Sequence, residues 1–138
     1  MNSALKISTE YIQLIKTAAQ ASLKAYAPYS HFKVGAALLT KKNKIYTGCN
    51  IENSSYGLTI CAERTAIIKA VSEGEKSFKA IAIFNSKNKS LPPCGACRQF
   101  ILEFGEDIDI IFSNPQKNFI HKSLDLLPLA FTNKNIKL

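Results

Sequence analysis

The order of apolar segments along the chain constrains the fold more than any other feature of the sequence. Residues 34–40 and 45–49 have strand composition and are joined around residues 41–44, which predicts a β-hairpin. Helical spacing over residues 61–72 and 94–104 then alternates with short apolar runs, which predict strands at 80–84, 108–112 and near 119–121. A hairpin followed by alternating helices and strands indicates a three-layered α/β domain with a mixed sheet.

An amphipathic helix is predicted before the hairpin. Ser8 can cap this helix, and helical spacing continues until Pro28. Its apolar positions are Ile12, Ile15, Ala19 and Leu23, with Tyr11, Leu14 and Ala18 beside them. We expect this helix to pack against the sheet.

Length and composition fit one globular domain. The chain has 138 residues, 46% hydrophobic and 20% charged, so residues 1–138 are predicted to form a single domain with a real core. No apolar run approaches the roughly 18 residues of a membrane span, and residues 1–10 lack the apolar block of a signal peptide. We expect a cytoplasmic protein without a membrane partner.

The basic residues are not clustered in the sequence as they would be in a nucleic-acid-binding protein. The formal net charge is +8, but only two of the 18 basic residues, Arg64 and Arg98, are arginines. The lysines are scattered, which is typical of a solvated surface, so no nucleic-acid partner is predicted. Each arginine lies within three residues of a cysteine, which requires a separate explanation.

Two cysteine motifs carry the chemistry. Cys61 begins one predicted helix, and Cys94 and Cys97 lie in the first turn of another. Helix N-termini stabilise thiolates and favour metal ligation. Three thiolates would leave the fourth tetrahedral position of a zinc ion open for water, as in catalytic sites. Glu63, two residues after Cys61, is then positioned for proton transfer.

The two arginines have a predicted electrostatic role. Three thiolates around Zn²⁺ carry a formal charge of −1, which would raise the pKa of the bound water. Arg64 and Arg98 are placed in the sequence to offset this charge by donating to the sulfurs.

Each motif taken alone has other interpretations. Cys94 and Cys97 fit a redox dithiol or half of a structural zinc site, in which Cys49 would be the fourth ligand. Cys61 fits a buried core residue, and Glu63 fits a first-turn residue that interacts with the helix dipole. Together they match a zinc deaminase signature with Cys in place of His. A nucleic-acid-editing deaminase would need a basic groove and aromatic platforms, which the absent Trp and scattered lysines disfavour.

The sequence resembles the cytidine deaminase family, specifically its small homotetrameric, three-cysteine type. The resemblance implies an α/β/α sandwich around a five-stranded mixed sheet, one Zn²⁺ per chain, and hydrolysis of cytidine and deoxycytidine to uridine, deoxyuridine and ammonia in pyrimidine salvage. Pro92 is a departure, since many members have Ser there. The matching motifs are residues 29–38, 48–53, 56–58, 61–66, 93–99 and 126–128 with Phe131.

The resemblance also implies residue roles. Cys61, Cys94 and Cys97 would hold the zinc ion. A hydroxide bound to this zinc would attack C4 of the cytosine ring, and Glu63 would transfer the protons. Tyr56 and Phe131 would complete a neighbouring subunit's pocket, hence the expected homotetramer. A carboxylate at Glu52 would repel a phosphate, which favours a nucleoside substrate. The implied substrate-binding residues are Phe32, Asn50, Glu52, Tyr56, Ala62 and Phe131. Cys49 is predicted to be a small buried residue rather than a ligand.

Overall fold

The computed structural model describes residues 6–136, so residues 1–5 and 137–138 of the predicted domain lie outside the described residues. Among residues 6–136, no helix combines the length and the apolarity that crossing a bilayer requires. The helices are α1 (Thr9–Ser22), α2 (Ala62–Ser72) and α3 (Gly95–Leu102), and the strands are β1 (Val34–Thr40), β2 (Ile45–Cys49), β3 (Phe78–Asn85), β4 (Asp109–Ser113) and β5 (Asn118–Lys122).

The five strands form one mixed sheet in the order β2-β1-β3-β4-β5. The β3–β4 pair is parallel, and the other neighbouring pairs are antiparallel. The crossover between the two parallel strands contains α3, as expected for a β-α-β connection. The predicted hairpin and the five-stranded mixed sheet are therefore confirmed.

Helices cover both faces of the sheet. On one face, Leu14 and Ala18 of α1 pack with Ala37 of β1 and Ile111 of β4. On the other face, side chains of α2 and α3 pack with the alternate residues of the same strands, including Leu38 of β1. Because β1 is covered on both faces, six consecutive residues of this strand are buried, and its sequence is apolar rather than alternating. The three-layer α/β/α arrangement is confirmed.

The first helix differs from its prediction in length and in its buried face. Ser8 is the N-cap, as predicted, and its hydroxyl accepts a hydrogen bond from the Tyr11 backbone N–H at 3.2 Å. The helix ends at Ser22, because the following residues turn and Tyr26 pairs with Ile51 in an isolated bridge. The buried stripe is Leu14, Ala18 and Ser22, whereas Ile12 and Leu23 are 40% and 67% exposed.

Two glycines explain how closely the helices approach the sheet. A Cβ at Gly35 would lie 2.0 Å from the Ala18 carbonyl oxygen, so the backbone of α1 contacts β1 directly. A Cβ at Gly48 would lie 2.5 Å from both the Ala62 carbonyl oxygen and the Ala66 backbone nitrogen. The first turns of α2 therefore pack directly against β2 at Gly48.

Candidate active site

The three cysteines of the two motifs meet where α2 and α3 begin. Cys61 is the N-cap of α2 and Cys94 is the N-cap of α3, both with extended backbone, while Cys97 is buried in the first turn of α3. Their Sγ atoms all lie within 4.8 Å of one another, and those of Cys61 and Cys94 are 3.9 Å apart. We call these three residues the sulfur cluster. Cys49 lies at the end of β2, half-buried and outside this cluster.

The sulfur cluster fits a zinc ion. Tetrahedral zinc with Zn–S bonds of about 2.3 Å separates its sulfurs by about 3.8 Å, close to the observed Cys61–Cys94 spacing of 3.9 Å. Three thiolates are also a chemically suitable donor set for zinc. One tetrahedral position remains for a ligand other than the sulfur cluster, as a catalytic site requires.

The cluster is arranged to hold negative charge. The pKa of Cys61 is lowered to about 5, first because its sulfur accepts a hydrogen bond from the Cys97 thiol and then because Arg64 donates to it. The pKa of Cys97 is raised, because this thiol is the donor in that hydrogen bond and is also buried. Cys61 is therefore the thiol of this pair that ionises first, and a bound divalent cation would favour the thiolate form of every ligand.

Arg64 contacts a sulfur of the cluster, whereas the described hydrogen bonds of Arg98 go to the backbone. The Arg64 Nη2 donates to Cys61 Sγ at 3.4 Å, and its buried Nε has no hydrogen-bond partner in the described structure. Arg98 instead donates to backbone carbonyls, from Nε to Pro93 at 2.8 Å and from Nη1 to Leu126 at 3.0 Å. The reason is geometric, since a long helical side chain points toward the N-terminus of its helix and here reaches the carbonyl preceding Cys94. Charge balancing by Arg98 stays a prediction.

Glu63 lies beside the sulfur cluster in the first turn of α2, with only 4% of its surface exposed. Its pKa is raised, mainly because burial disfavours the charged carboxylate and also because the negative Cys61 is close. A buried carboxyl with a raised pKa holds an accepted proton more readily than an exposed carboxyl does, which suits a group that accepts and returns a proton.

A cavity of about 260 Å³ opens onto the sulfur cluster and Glu63. Its surface is mostly apolar, with a small number of polar groups, as is typical of a site for a small ring-shaped ligand. The structure brings the predicted residues Phe32, Asn50 and Ala62 into this cavity. The cavity is lined by Phe32, Val34, Asn50, Thr59, Cys61, Ala62, Glu63, Ile83, Asn85, Leu91, Pro92 and Cys94.

Asn50 is buried and supports the wall that contains Phe32. Its Oδ1 accepts a hydrogen bond from the Val34 backbone N–H at 2.8 Å, and its Nδ2 donates to the Phe32 carbonyl at 2.8 Å. The amide therefore holds the segment before β1 next to the end of β2. It also borders the cavity, so Asn50 is both part of the scaffold and available to a ligand.

The other predicted substrate-binding residues lie outside this cavity. Glu52 and Tyr56 line an adjoining hollow, which shares Thr59 with the cavity. Tyr56 is 75% exposed and its ring pairs with that of Tyr29 at 5.8 Å. Phe131 is 62% exposed and outside both spaces, and its carbonyl accepts a hydrogen bond from Gln99.

Sequence reasoning missed several residues of the cavity wall. Asn85 and Leu91 had no local signal that distinguished them from an ordinary strand end and loop. Thr59 lies in a segment without periodicity. Pro92, where the sequence departs from the common family pattern, also lines the cavity, and the proline pair at 92–93 stiffens the loop before Cys94.

This fold, with a three-cysteine metal centre at two helix starts and a buried glutamate beside it, defines the class of zinc-dependent deaminases. Residues 8–113 match the family described as the cytidine and deoxycytidylate deaminase zinc-binding region. The chain belongs to this family.

Relatives and solved structures agree with that assignment. A probable cytidine deaminase of Dictyostelium discoideum is 54% identical over 114 residues, covering 81% of this chain and 77% of the relative. A cytidine deaminase of Halalkalibacterium halodurans is 49% identical over 125 residues, covering 89% and 95%. The crystal structure of cytidine deaminase from Burkholderia pseudomallei superposes with a TM-score of 0.84 at 45% identity, covering 91% of this chain and 100% of that one.

Proposed function

We propose that this protein hydrolyses cytidine and deoxycytidine to uridine and deoxyuridine with release of ammonia. The observation that carries the proposal is the buried Glu63 carboxyl beside the sulfur cluster, in a cavity that Phe32 and Asn50 also line. Several relatives that are more than 40% identical are named cytidine deaminases, which supports the same activity.

Cys61, Cys94 and Cys97 would hold one zinc ion per chain. When bound, zinc supplies a Lewis acid that lowers the pKa of a coordinated water, so that the water can attack at neutral pH. Glu63 accepts a proton from the water that attacks C4 of the pyrimidine ring, and transfers it to N3. It then assists protonation of the amine, which leaves as ammonia. Burial supports this role because it raises the pKa of Glu63 and lets the carboxyl carry a proton between steps.

Glu52 supports a nucleoside as the substrate class. The pKa of its carboxylate is lowered, mainly because the Ser30 hydroxyl donates to it, so the group is negative at neutral pH. A negative carboxylate in the hollow next to the cavity can accept a hydrogen bond from a sugar hydroxyl and repels a phosphate. Within this proposal, the base occupies the cavity and the sugar extends toward Glu52.

We include a homotetramer in the proposal. Tyr56, which lines the hollow, and Phe131 are large aromatic residues, yet they are 75% and 62% exposed. Contact with neighbouring subunits would bury both rings and complete the pocket. Sedimentation velocity of the purified protein tests this assembly, and a monomer at assay concentration would contradict it.

The cytoplasm is the proposed location, with a role in pyrimidine salvage. The four cysteines are all free, which is typical of the cytoplasm because thiols are kept reduced there. The reaction itself would return cytosine nucleosides to the uridine pool.

The test is an ultraviolet absorbance assay of the purified, zinc-loaded protein. Cytidine, deoxycytidine, free cytosine and cytidine monophosphate are compared in parallel, with ammonia release as a second readout. We expect turnover of the two nucleosides and little of the other two compounds. Equal turnover of the monophosphate would contradict the nucleoside assignment, and no turnover of any cytosine compound would overturn the proposed activity.

A further inference from the structure

One hydroxyl group joins the hollow of Glu52 to the cavity wall of Phe32. Ser30 Oγ donates a hydrogen bond to Glu52 Oε2 at 2.5 Å and accepts one from the Phe32 backbone N–H at 3.0 Å. Ser30 also lines the hollow. The same side chain therefore contacts the carboxylate proposed to face the sugar and the backbone of the aromatic residue that lines the base cavity.

The two oxygens of Glu52 are held in different ways. Oε1 accepts hydrogen bonds from two backbone N–H groups, those of Tyr29 at 2.9 Å and Ser30 at 3.1 Å. Oε2 is held by the Ser30 hydroxyl. Replacing this serine by alanine would therefore keep both bonds to Oε1 and remove the described contact to Oε2.

The backbone on both sides is anchored independently of this hydroxyl. The Glu52 N–H donates to the Tyr26 carbonyl at 2.8 Å, and Tyr26 pairs with Ile51 in a parallel bridge. Asn50 holds the Phe32 carbonyl from the other side. Loss of the Ser30 hydroxyl would thus release Glu52 Oε2 and the Phe32 N–H, while the two bonds to Oε1 and these backbone anchors remain.

We propose that Ser30 is a positioning residue for substrate binding, which orients the Glu52 carboxylate toward the sugar and couples it to the Phe32 segment. This inference rests on the proposed function. Ser30 is not expected to take part in the chemical step, because its described contacts include neither the sulfur cluster nor Glu63. We expect Ser30 to affect substrate affinity, because a carboxylate that is fixed beforehand loses less conformational freedom when the substrate binds.

The test compares Ser30→Ala with Ser30→Thr, using kcat and KM for cytidine. Loss of one positioning hydrogen bond should raise KM about three- to tenfold and leave kcat within about twofold, because the chemistry at C4 is untouched. Ser30→Thr keeps a hydroxyl and should restore KM. Ser54→Ala is the matched control, since Ser54 is an exposed serine two residues from Glu52, and it should behave like the wild type.

A double-mutant cycle with Glu52→Gln separates positioning from a general structural effect. If Ser30 acts through the carboxylate, Ser30→Ala should raise KM much less in the Glu52→Gln background than in the wild type. An equal increase in both backgrounds would overturn the inference, and so would an unchanged KM in Ser30→Ala or a failure of Ser30→Thr to restore it. Inactivity of the wild type on every cytosine nucleoside would instead refute the proposed function, and this inference with it.

Discussion

Replacing Gly48 by alanine should disturb the metal centre through the backbone, without altering a ligand. The added Cβ would lie 2.5 Å from the Ala62 carbonyl oxygen and 2.5 Å from the Ala66 nitrogen, both in the first turns of α2. Because close C···O contacts in proteins are about 3.3–3.6 Å, α2 would have to move away from β2 by about 1 Å. Neither neighbour is a flexible side chain, so the strain cannot be relieved by a rotamer change.

The expected cost follows from that displacement. Overpacking of this kind destabilises a protein by about 1–3 kcal/mol, which should appear as a lower urea midpoint. Cys61 caps the displaced helix, and the ligand distances of zinc sites normally lie within about 0.2 Å of their standard values. We therefore expect Gly48→Ala to retain less zinc per chain than the wild type after dialysis, and to lose activity in proportion.

The measurements are urea unfolding and zinc content by elemental analysis on the same samples. Gly57→Ala is the matched control, because a Cβ at Gly57 meets nothing within 4 Å and should change neither quantity. Wild-type stability and zinc content in Gly48→Ala would refute the reasoning, since they would mean that α2 can give way without moving Cys61.

Three further substitutions test the centre itself. Glu63→Gln should lower kcat by about 10²–10⁴-fold with zinc content unchanged, and a variant with more than about a tenth of wild-type kcat would show that another group moves the protons. Arg64→Gln should weaken zinc retention against a chelator by about tenfold or more, since Cys61 loses its guanidinium donor; unchanged retention together with an unchanged pH–rate profile would contradict this. Cys49→Ser should keep about one zinc per chain, because Cys49 lies outside the sulfur cluster, and stoichiometric loss of zinc would indicate a four-cysteine site.

Local patterns were sufficient to predict most of the elements. The strands β1 and β2 have the bounds that their apolar runs predict. Both cysteine motifs lie at helix starts, as predicted, because the start of a helix depends on residues that are close together in the sequence. The end of α1 could not be predicted in this way. The apolar spacing would allow the helix to continue beyond Ser22, but the chain instead turns and pairs Tyr26 with Ile51. These two residues lie far apart in the sequence, so a local pattern cannot indicate their pairing.

The buried face of α1 also depends on tertiary structure. Ile12 and Leu23 are more hydrophobic than Ser22, yet Ser22 is the buried residue. The backbone of α1 contacts β1 directly at Gly35, and this contact determines which side of the helix faces the sheet. Small residues such as Ala18 and Ser22 allow the helix to approach the strand this closely. Composition of the helix alone does not contain that information.

The site was predictable in its chemistry and less so in its shape. The sequence identified the sulfur cluster and Glu63, because their spacing is a property of two helix starts. It placed Phe32, Asn50, Glu52 and Tyr56 in one substrate-binding set, whereas the structure divides them between the cavity and the adjoining hollow. That division depends on how the loop after β2 folds beside Ser30, through hydrogen bonds that leave no periodic pattern in the sequence.

The hydrogen bonds of Asn50 limit what kind of group it can recognise. A primary amide has two N–H hydrogens and two oxygen lone pairs, and the bonds to Phe32 and Val34 use one hydrogen and one lone pair. One donor and one acceptor remain, on the nitrogen and the oxygen of the same planar, buried amide. A hydroxyl satisfies both, because it can donate and accept at once, whereas an ammonium ion leaves the donor unpaired and an ether or ketone leaves the acceptor unpaired. Within the proposed function, the two scaffold contacts of Asn50 therefore leave it to pair with a group that both donates and accepts, as a sugar hydroxyl does.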